Sequence, residues 1–363
     1  MKIAANILVI GGGPAGATAA RFLAAYGIDV ILLERNLSFE KPCGGGISLS
    51  AFDEYGIPKN IIHREVKSIN IISPKGEKIS IDLKGNNLAI IERSKFDAVL
   101  RKKAEEHGTK VIEGEFIRLV NARKYLTEAI ISGITYEISS EYIIAADGVN
   151  SMVRTSLGIK PSRSFFTLSE KIKGLTSDCC EFWFGTAHAP YSYSWVFPSA
   201  EGISIGTGTF ETGKIKTFFE RFKEKTGILQ EGQRRLYRIP IWKGDLYNKD
   251  KILFAGDSAG QVMPLTYEGI YYAMKAGEFA AKAIIENKID NYKKMWRSRF
   301  QKRFILMEKL RNYFLKNDAT AERLVALHKR PEIQDLSLKL WSTKDGGPES
   351  LLTYIRLFGK ILH

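Results

Sequence analysis

The chain has 363 residues, 44% of them apolar, an ordinary globular composition with room for two or three domains. No run of about 18 apolar residues occurs, and no apolar leader with a small-residue cleavage site stands before the first strand, so neither a membrane-spanning helix nor a secretory segment is expected. A net charge of +14 can suit nucleic acid, an anionic membrane surface or an acidic substrate; with no nucleic-acid-binding motif, no nucleic-acid partner is expected and the last two are preferred, beside simply a basic soluble protein.

Ile3–Ile10 is an apolar run rich in Ile, Leu and Val. It leads into Gly11-Gly12-Gly13-Pro14-Ala15-Gly16, then a helical stretch from Pro14 to about Tyr26, then a second apolar run, Asp29–Leu33, ending at Glu34. Strand, glycine turn, helix, strand and acid make the βαβ unit that binds a dinucleotide; a purely structural glycine turn is the competing reading. Gly11 permits the tight turn, Gly13 lets the backbone approach a pyrophosphate, and Gly16 lets the helix lie close to the sheet. The first N–H groups of the helix, at its positive end, face the phosphates. Glu34 stands 23 residues after Gly11, near the spacing of the acid that accepts from the adenosine ribose. An acid there disfavours a 2′-phosphate.

Next comes Lys41-Pro42-Cys43-Gly44-Gly45-Gly46-Ile47. Three successive glycines let a backbone lie against a flat ligand, with Cys43 beside it; a flexible loop with an inert thiol is the alternative. With Cys179 and Cys180, Cys43 makes neither a disulfide framework nor a metal-ligand set, so no metal is expected and a reducing cytoplasm fits. Residues 65–91 alternate in strand fashion around Pro74-Lys75-Gly76 and predict a β-excursion from the first domain. A helix over roughly 94–107 follows, with Ser94 as N-cap and Gly108 as its stop. Arg93, just ahead of it, either reaches the ligand or sits in a surface ion pair. Tyr142–Ala146 is another strand pattern, and Asp147-Gly148, with Ser151 and Arg154, returns the chain to the dinucleotide.

Residues 160–250 are rich in aromatics and Gly-Thr repeats and predict an antiparallel-sheet domain. Within Pro190–Pro198, a strand would put Tyr193, Trp195 and Phe197 on one face, as an aromatic wall or as a core face. A buried strand over 251–256 runs into Asp257-Ser258-Ala259-Gly260, and a helix opens near Gly269-Ile270 and runs to about Asn287. Between Asp290 and Lys316, nine Lys/Arg stand against two acids, and Trp296, Phe300, Phe304, Met307, Leu310 and Phe314 recur at steps of three and four. That pattern is a basic amphipathic helix, lying on a membrane or packed on the domain.

These stretches together resemble the geranylgeranyl reductase family, within the FAD-dependent flavoprotein group that includes the aromatic hydroxylases. Gly11–Gly16 with Glu34 resembles the family's adenosine-diphosphate site, Asp147-Gly148 with Arg154 its second dinucleotide motif, and Gly256-Asp257 through Ile270 its third. Lys41–Gly46 and Pro190-x-x-Tyr193-x-Trp195-x-Phe197-Pro198 are the narrower signals, the latter similar to the family's substrate motif. The resemblance implies an α/β protein: a Rossmann-like FAD-binding domain over 1–159 and 251–288, with the β-excursion at about 60–92; a mixed antiparallel-β substrate domain over 160–250; and a C-terminal helical tail over 289–363. It implies FAD held by Gly11, Gly13, Pro14, Ala15, Gly16, Glu34, Arg35, Cys43, Gly44, Gly45, Gly46, Arg93, Asp147, Gly148, Gly256, Asp257, Gly269 and Ile270. Asp257 would take a ribitol hydroxyl, and the helix start at Gly269 would face the flavin.

Tyr193, Trp195, Phe197 and Tyr267 would meet the substrate, Tyr267 standing where family members more often have glycine. Cys43 is the catalytic candidate, with ordered water or Glu268 as other proton sources. The implied activity is saturation of isolated double bonds in geranylgeranyl chains, such as those of archaeal ether lipids. The implied setting is a cytoplasmic enzyme, peripheral on the cytoplasmic membrane, fed by ferredoxin or NADPH. A flavin monooxygenase and a non-catalytic FAD protein binding isoprenoid lipid are the two rivals.

Overall fold

The computed structural model describes residues 1–342. The chain folds as two compact units, each assembled from three separated segments. Residues 1–41, 93–164 and 238–298 form the first, and, among the described residues, 42–92, 165–237 and 299–342 the second.

The first unit is built on parallel strands. Ile7–Ile10 pairs in parallel with Val30–Glu34 on one side and Tyr142–Ala145 on the other, and Ile252–Phe254 extends the sheet in parallel beyond that. Runs of Ile, Leu and Val without alternation suit strands covered on both faces. Lys110–Asn121 continues from Val30–Glu34 in parallel, then folds back antiparallel with Leu126–Ile131 and Ile134–Ser139. Helices Pro14–Ala24 and Ile270–Ile285 meet through small residues: a Cβ on Gly277 would overlap the Ala15 carbonyl and sit 3.0 Å from the Ala19 nitrogen. The helix Arg93–Glu105 starts earlier than expected, so Ser94 lies in its first turn and does not cap it.

The second unit centres on a sheet in the order Gln233–Pro240, Ser164–Lys173, Gly202–Thr209, Ser194–Ser199, Cys180–Trp183, Ser68–Ile72, Lys78–Asp82. Its middle neighbours are antiparallel, while Cys180–Trp183 runs parallel to Ser68–Ile72. That pairing changes the expected boundaries. The excursion begins at Pro42, not near residue 60, and Ser68–Ile72 is a strand of the second unit's sheet. Gly46–Ser48, Leu88–Ile91 and Ile62–Val66 form a small antiparallel sheet in the same unit. A helix missed in the sequence, Ile215–Thr226, covers one sheet face, where Phe219 and Phe222 pack with Leu168, Val196, Ile203 and Ile205. Its signal was Ile215, Phe218, Phe219 and Phe222 at steps of three and four, ended by Gly227 in the left-handed conformation.

The tail is shared between the units. Asp290–Trp296 belongs to the first, and Lys302–Phe314, Asp318–Leu327 and Pro331–Ser342 to the second, with a π-helical turn over Arg297–Gln301. Trp296, Phe300, Phe304, Met307, Leu310 and Phe314 are all buried. Of the two readings of this stripe, a membrane face or a face packed on the protein, its burial supports the second. No helix among the described residues is long and apolar enough to cross a membrane. Residues 343–363, the end of the expected helical tail, lie outside the described residues.

Candidate functional site

In the first unit, Ile7–Ile10 delivers the chain to Gly11 at a φ of +101°, a conformation that only glycine adopts without strain. A Cβ there would overlap the Ala146 carbonyl and sit 2.9 Å from Asp147 Cα, so the first two dinucleotide motifs touch at this point. Gly16 is equally constrained, since a Cβ would run into the Gly11 carbonyl. Gly13 differs: a Cβ built on it would meet nothing within 4 Å. Gly13 is the N-cap of the helix that Pro14, Ala15 and Gly16 open, no described side chain caps that end, and intrahelical bonding begins with the Ala17 N–H on Gly13 O at 2.9 Å. Open space before uncapped N–H groups at the positive end of a helix suits a pyrophosphate.

Glu34 braces this turn. One carboxylate oxygen accepts the Gly12 N–H at 2.6 Å and the other the Asn36 N–H at 3.1 Å, and each has a further lone pair for a hydroxyl. Arg35 follows, exposed. Arg101, which sequence reasoning passed over, completes the brace. It is 7% exposed and donates to Gly12 O at 3.2 Å and Leu37 O at 2.7 Å. The Gly12 residue is thus held at its N–H by a carboxylate and at its C=O by a guanidinium. The missed signal was Arg93, Asp97 and Arg101 at steps of four, a charged stripe facing inward. Arg93 pairs with Asp97 through Nη2 at 2.8 Å and Nε at 3.2 Å, buried rather than on the surface.

Asp147 accepts the Val153 N–H on Oδ2 at 3.1 Å, just before Gly148, which turns at +79°. Its Oδ1 is buried without a partner among the described residues, and burial raises its pKa above the ordinary carboxylate value. Arg154 donates to Ser162 Oγ at 2.5 Å, Ser258 O at 3.1 Å and Lys160 O, tying the second motif to the third. Gly256 turns at +70° and donates its N–H to Gln261 Oε1 at 2.8 Å; Gln261 Nε2 donates to the Tyr292 hydroxyl, which donates to Phe254 O. Asp257 makes a short ion pair with Lys41 and lies beside Gly269, the N-cap of the helix beginning at Ile270. Tyr267 sits at a φ of +54°, in a turn closed by its N–H on Met263 O and the Met263 N–H on Glu268 O, both 3.0 Å. This chain therefore keeps a bulky residue in a conformation glycine takes freely. An open helix start, an acid with lone pairs for a ribose, and an orphaned carboxylate oxygen together fit a dinucleotide such as FAD.

In the second unit, Trp195 and Phe197 share one face of Ser194–Ser199, while Val196 turns to the helix on the other. Trp195 lies across Gly206, where a Cβ would overlap the indole. Phe197 lies over the glycine loop, its ring 2.7 Å from a Cβ on Gly44 and 3.7 Å from one on Gly46. Tyr193, just ahead of the strand, meets Phe182 edge-on at 5.1 Å, and Phe182 meets Phe197 at 5.1 Å. The aromatic wall and the glycine loop are one construction. Gly45, at +76°, donates its N–H to Cys43 Sγ at 3.3 Å, and Cys43 is half-buried.

Behind the wall runs a closed polar chain. Ser194 Oγ donates to Thr207 Oγ1 at 2.8 Å, and Thr207 donates to His188 O. Each hydroxyl has one proton, so His188 Nδ1, 2.8 Å from Ser194 Oγ, must be the donor there. The ring is neutral, burial pulling its pKa down to about 4. The site residues thus fall into two sets. Gly11–Gly16, Glu34, Arg35, Arg93, Asp147, Gly148, Gly256, Asp257, Tyr267, Gly269 and Ile270 belong to the first unit, and Cys43–Gly46, Tyr193, Trp195 and Phe197 to the second.

An FAD binding domain family matches residues 4–182. Geranylgeranyl diphosphate reductase of Synechocystis sp. is 28% identical, over 98% of this chain and 97% of its own length. Digeranylgeranylglycerophospholipid reductase 2 of Methanothermobacter thermautotrophicus is 31% identical, over 92% of this chain and 93% of its own. The chain belongs to the geranylgeranyl reductase family. A geranylgeranyl bacteriochlorophyll reductase-like protein of Thermoplasma acidophilum has the same fold, with a TM-score of 0.86 over 98% of this chain and 99% of its own, at 24% identity. As a member of the geranylgeranyl reductase family, the chain is an oxidoreductase, and FAD is its cofactor.

Proposed function

We propose that this chain saturates isolated carbon–carbon double bonds of geranylgeranyl chains, carried by isoprenoid lipids of the archaeal ether type or by their precursors. The observation that carries this reading is the aromatic wall of Tyr193, Trp195 and Phe197, seated on the glycine loop that bears Cys43. Gly13, Glu34, Asp147 and Asp257 would hold FAD, which when bound and reduced would supply a hydride equivalent. An isolated alkene accepts hydride poorly, so the protein must also deliver a proton and stabilise positive charge on the carbon skeleton. Aromatic rings stabilise such charge while excluding water. We assign the proton to the Sγ–H of Cys43, whose sulfur is held in place by the Gly45 N–H.

The electrons come from a ferredoxin-type carrier or from transiently bound NADPH, and anaerobic mixing with each, followed at the flavin absorbance, distinguishes them. We also propose a peripheral position on the cytoplasmic face of the membrane, supported by the net charge of +14 and by exposed Lys293, Lys294 and Arg297. The deciding experiment is anaerobic. Protein reduced chemically and mixed with a geranylgeranyl lipid is expected to add two hydrogens per reduced bond by mass spectrometry. A hydroxylated product in air would move the chain to the monooxygenases, and lipid unchanged under every condition would leave only a binding role.

A further inference from the structure

We infer that Lys41 is a positioning residue for the cofactor, holding the Asp257 carboxylate aimed at the ribityl chain. This rests on the FAD reading above and adds a residue to it. Lys41 and Asp257 stand 216 positions apart, yet form an ion pair in which the Asp257 side chain is 9% exposed and that of Lys41 23%. A carboxylate so far out of water needs a charged or hydrogen-bonding partner, whereas an exposed pair would do little.

Two further observations make the pair directional. The backbone that presents Asp257 is fixed from behind: Gly256 is held by Gln261, Gln261 by Tyr292, and the Gly260 N–H returns to Asp257 O at 3.0 Å. With the main chain fixed, the side chain's direction depends on where Lys41 pulls it. Lys41 takes Oδ2, which leaves Oδ1 on the side of Gly269, 3.7 Å from the place a Cβ would occupy there, at the uncapped start of a 16-residue helix. The pair therefore turns one oxygen to the site where a hydroxyl donor would lie. Pro42 follows Lys41 and restricts that residue's backbone to extended conformations, so part of the ordering cost is met before the pair forms.

The test is FAD binding rather than turnover. Apoprotein of the wild type, Lys41→Met, Lys41→Arg, Asp257→Asn and the Lys41→Met/Asp257→Asn pair is titrated with FAD by fluorescence quenching. Circular dichroism and thermal melts check folding. Lys41→Met is expected to raise the dissociation constant roughly tenfold, the scale of one unpaired buried polar group. Lys41→Arg should bring it back toward the wild-type value. In the Asp257→Asn background, Lys41→Met should add nothing, because the group it acts through is gone. An equal effect of Lys41→Met in both backgrounds, or none in the wild type, would overturn the inference while leaving the cofactor reading intact. A well-folded wild type that takes up no FAD would overturn both. If Lys41→Met does not fold, the Arg variant and the double variant still decide: loss of affinity in Lys41→Arg equal to that in the double variant removes the role.

Discussion

Glu34 and Arg101 grip opposite sides of one glycine, and the dinucleotide turn depends on both. Glu34→Ala is expected to lower the flavin retained per protein after gel filtration; unchanged flavin would remove its ribose role. Arg101→Met leaves the Gly12 and Leu37 carbonyls without their buried donor and should cost about 2 kcal/mol in stability, with weaker FAD retention. Arg101→Lys should fall between, since a point charge does not reach both carbonyls as a planar fork does. In the second unit, Trp195→Ala should leave FAD bound while lipid turnover collapses, and normal turnover would return the indole to ordinary core. His188 gives a pH signature. Its folded pKa of about 4 lies below the usual value of 6.5, so between those values the unfolded chain binds more protons. Stability is therefore full above about pH 6.5 and falls toward pH 4, by up to about 3 kcal/mol from this group. Urea midpoints at both ends of that window, in wild type and His188→Asn, check it: the variant should lose part of the slope.

At the scale of elements, the strand Ser194–Ser199 works by register. Trp195 stands opposite Gly206, and Phe197 lies over Gly44, so each ring uses space that a side chain would fill. Gly44→Ala is expected to displace the loop or the ring and to cut turnover without loss of flavin; full activity would show that the contact gives way cheaply. Much of this was legible. The strand–turn–helix at Gly11, the strand ends at Asp147 and Asp257, and the shared face of Trp195 and Phe197 all carry local signals of spacing and residue type. The helix Ile215–Thr226 had its period too, hidden by an aromatic composition that reads equally well as strand. Two things carried no local signal. Apolar residues at helical spacing, as from Trp296 to Phe314, say that a face needs cover but not what covers it. The parallel pairing of Cys180–Trp183 with Ser68–Ile72 joins segments more than a hundred positions apart, so the boundary at Pro42 could not be read from either. Arg101 escaped because a charged residue on a helix is ordinarily placed outside.

At the scale of the whole molecule, the proposed membrane position rests on charge, since the stripe from Trp296 to Phe314 is buried. Replacing Lys293, Lys294 and Arg297 together by Gln should weaken binding to anionic vesicles at low salt, by about 1 kcal/mol per charge near the surface. The difference should vanish at high salt. No change would discard the membrane position. The assembly of the first unit from residues 1–41, 93–164 and 238–298 has a consequence in the living cell. Ile7–Ile10 leaves the ribosome early, but its neighbour Tyr142–Ala145 follows on the order of ten seconds later, and Ile252–Phe254 about as long again. Through that interval the nascent chain carries an apolar strand with an open edge, a natural client for chaperones. On the proposed site, which includes the helix start at Ile270, flavin loading would follow the synthesis of about three-quarters of the chain, and a pulse-chase with flavin fluorescence on released chains checks that order.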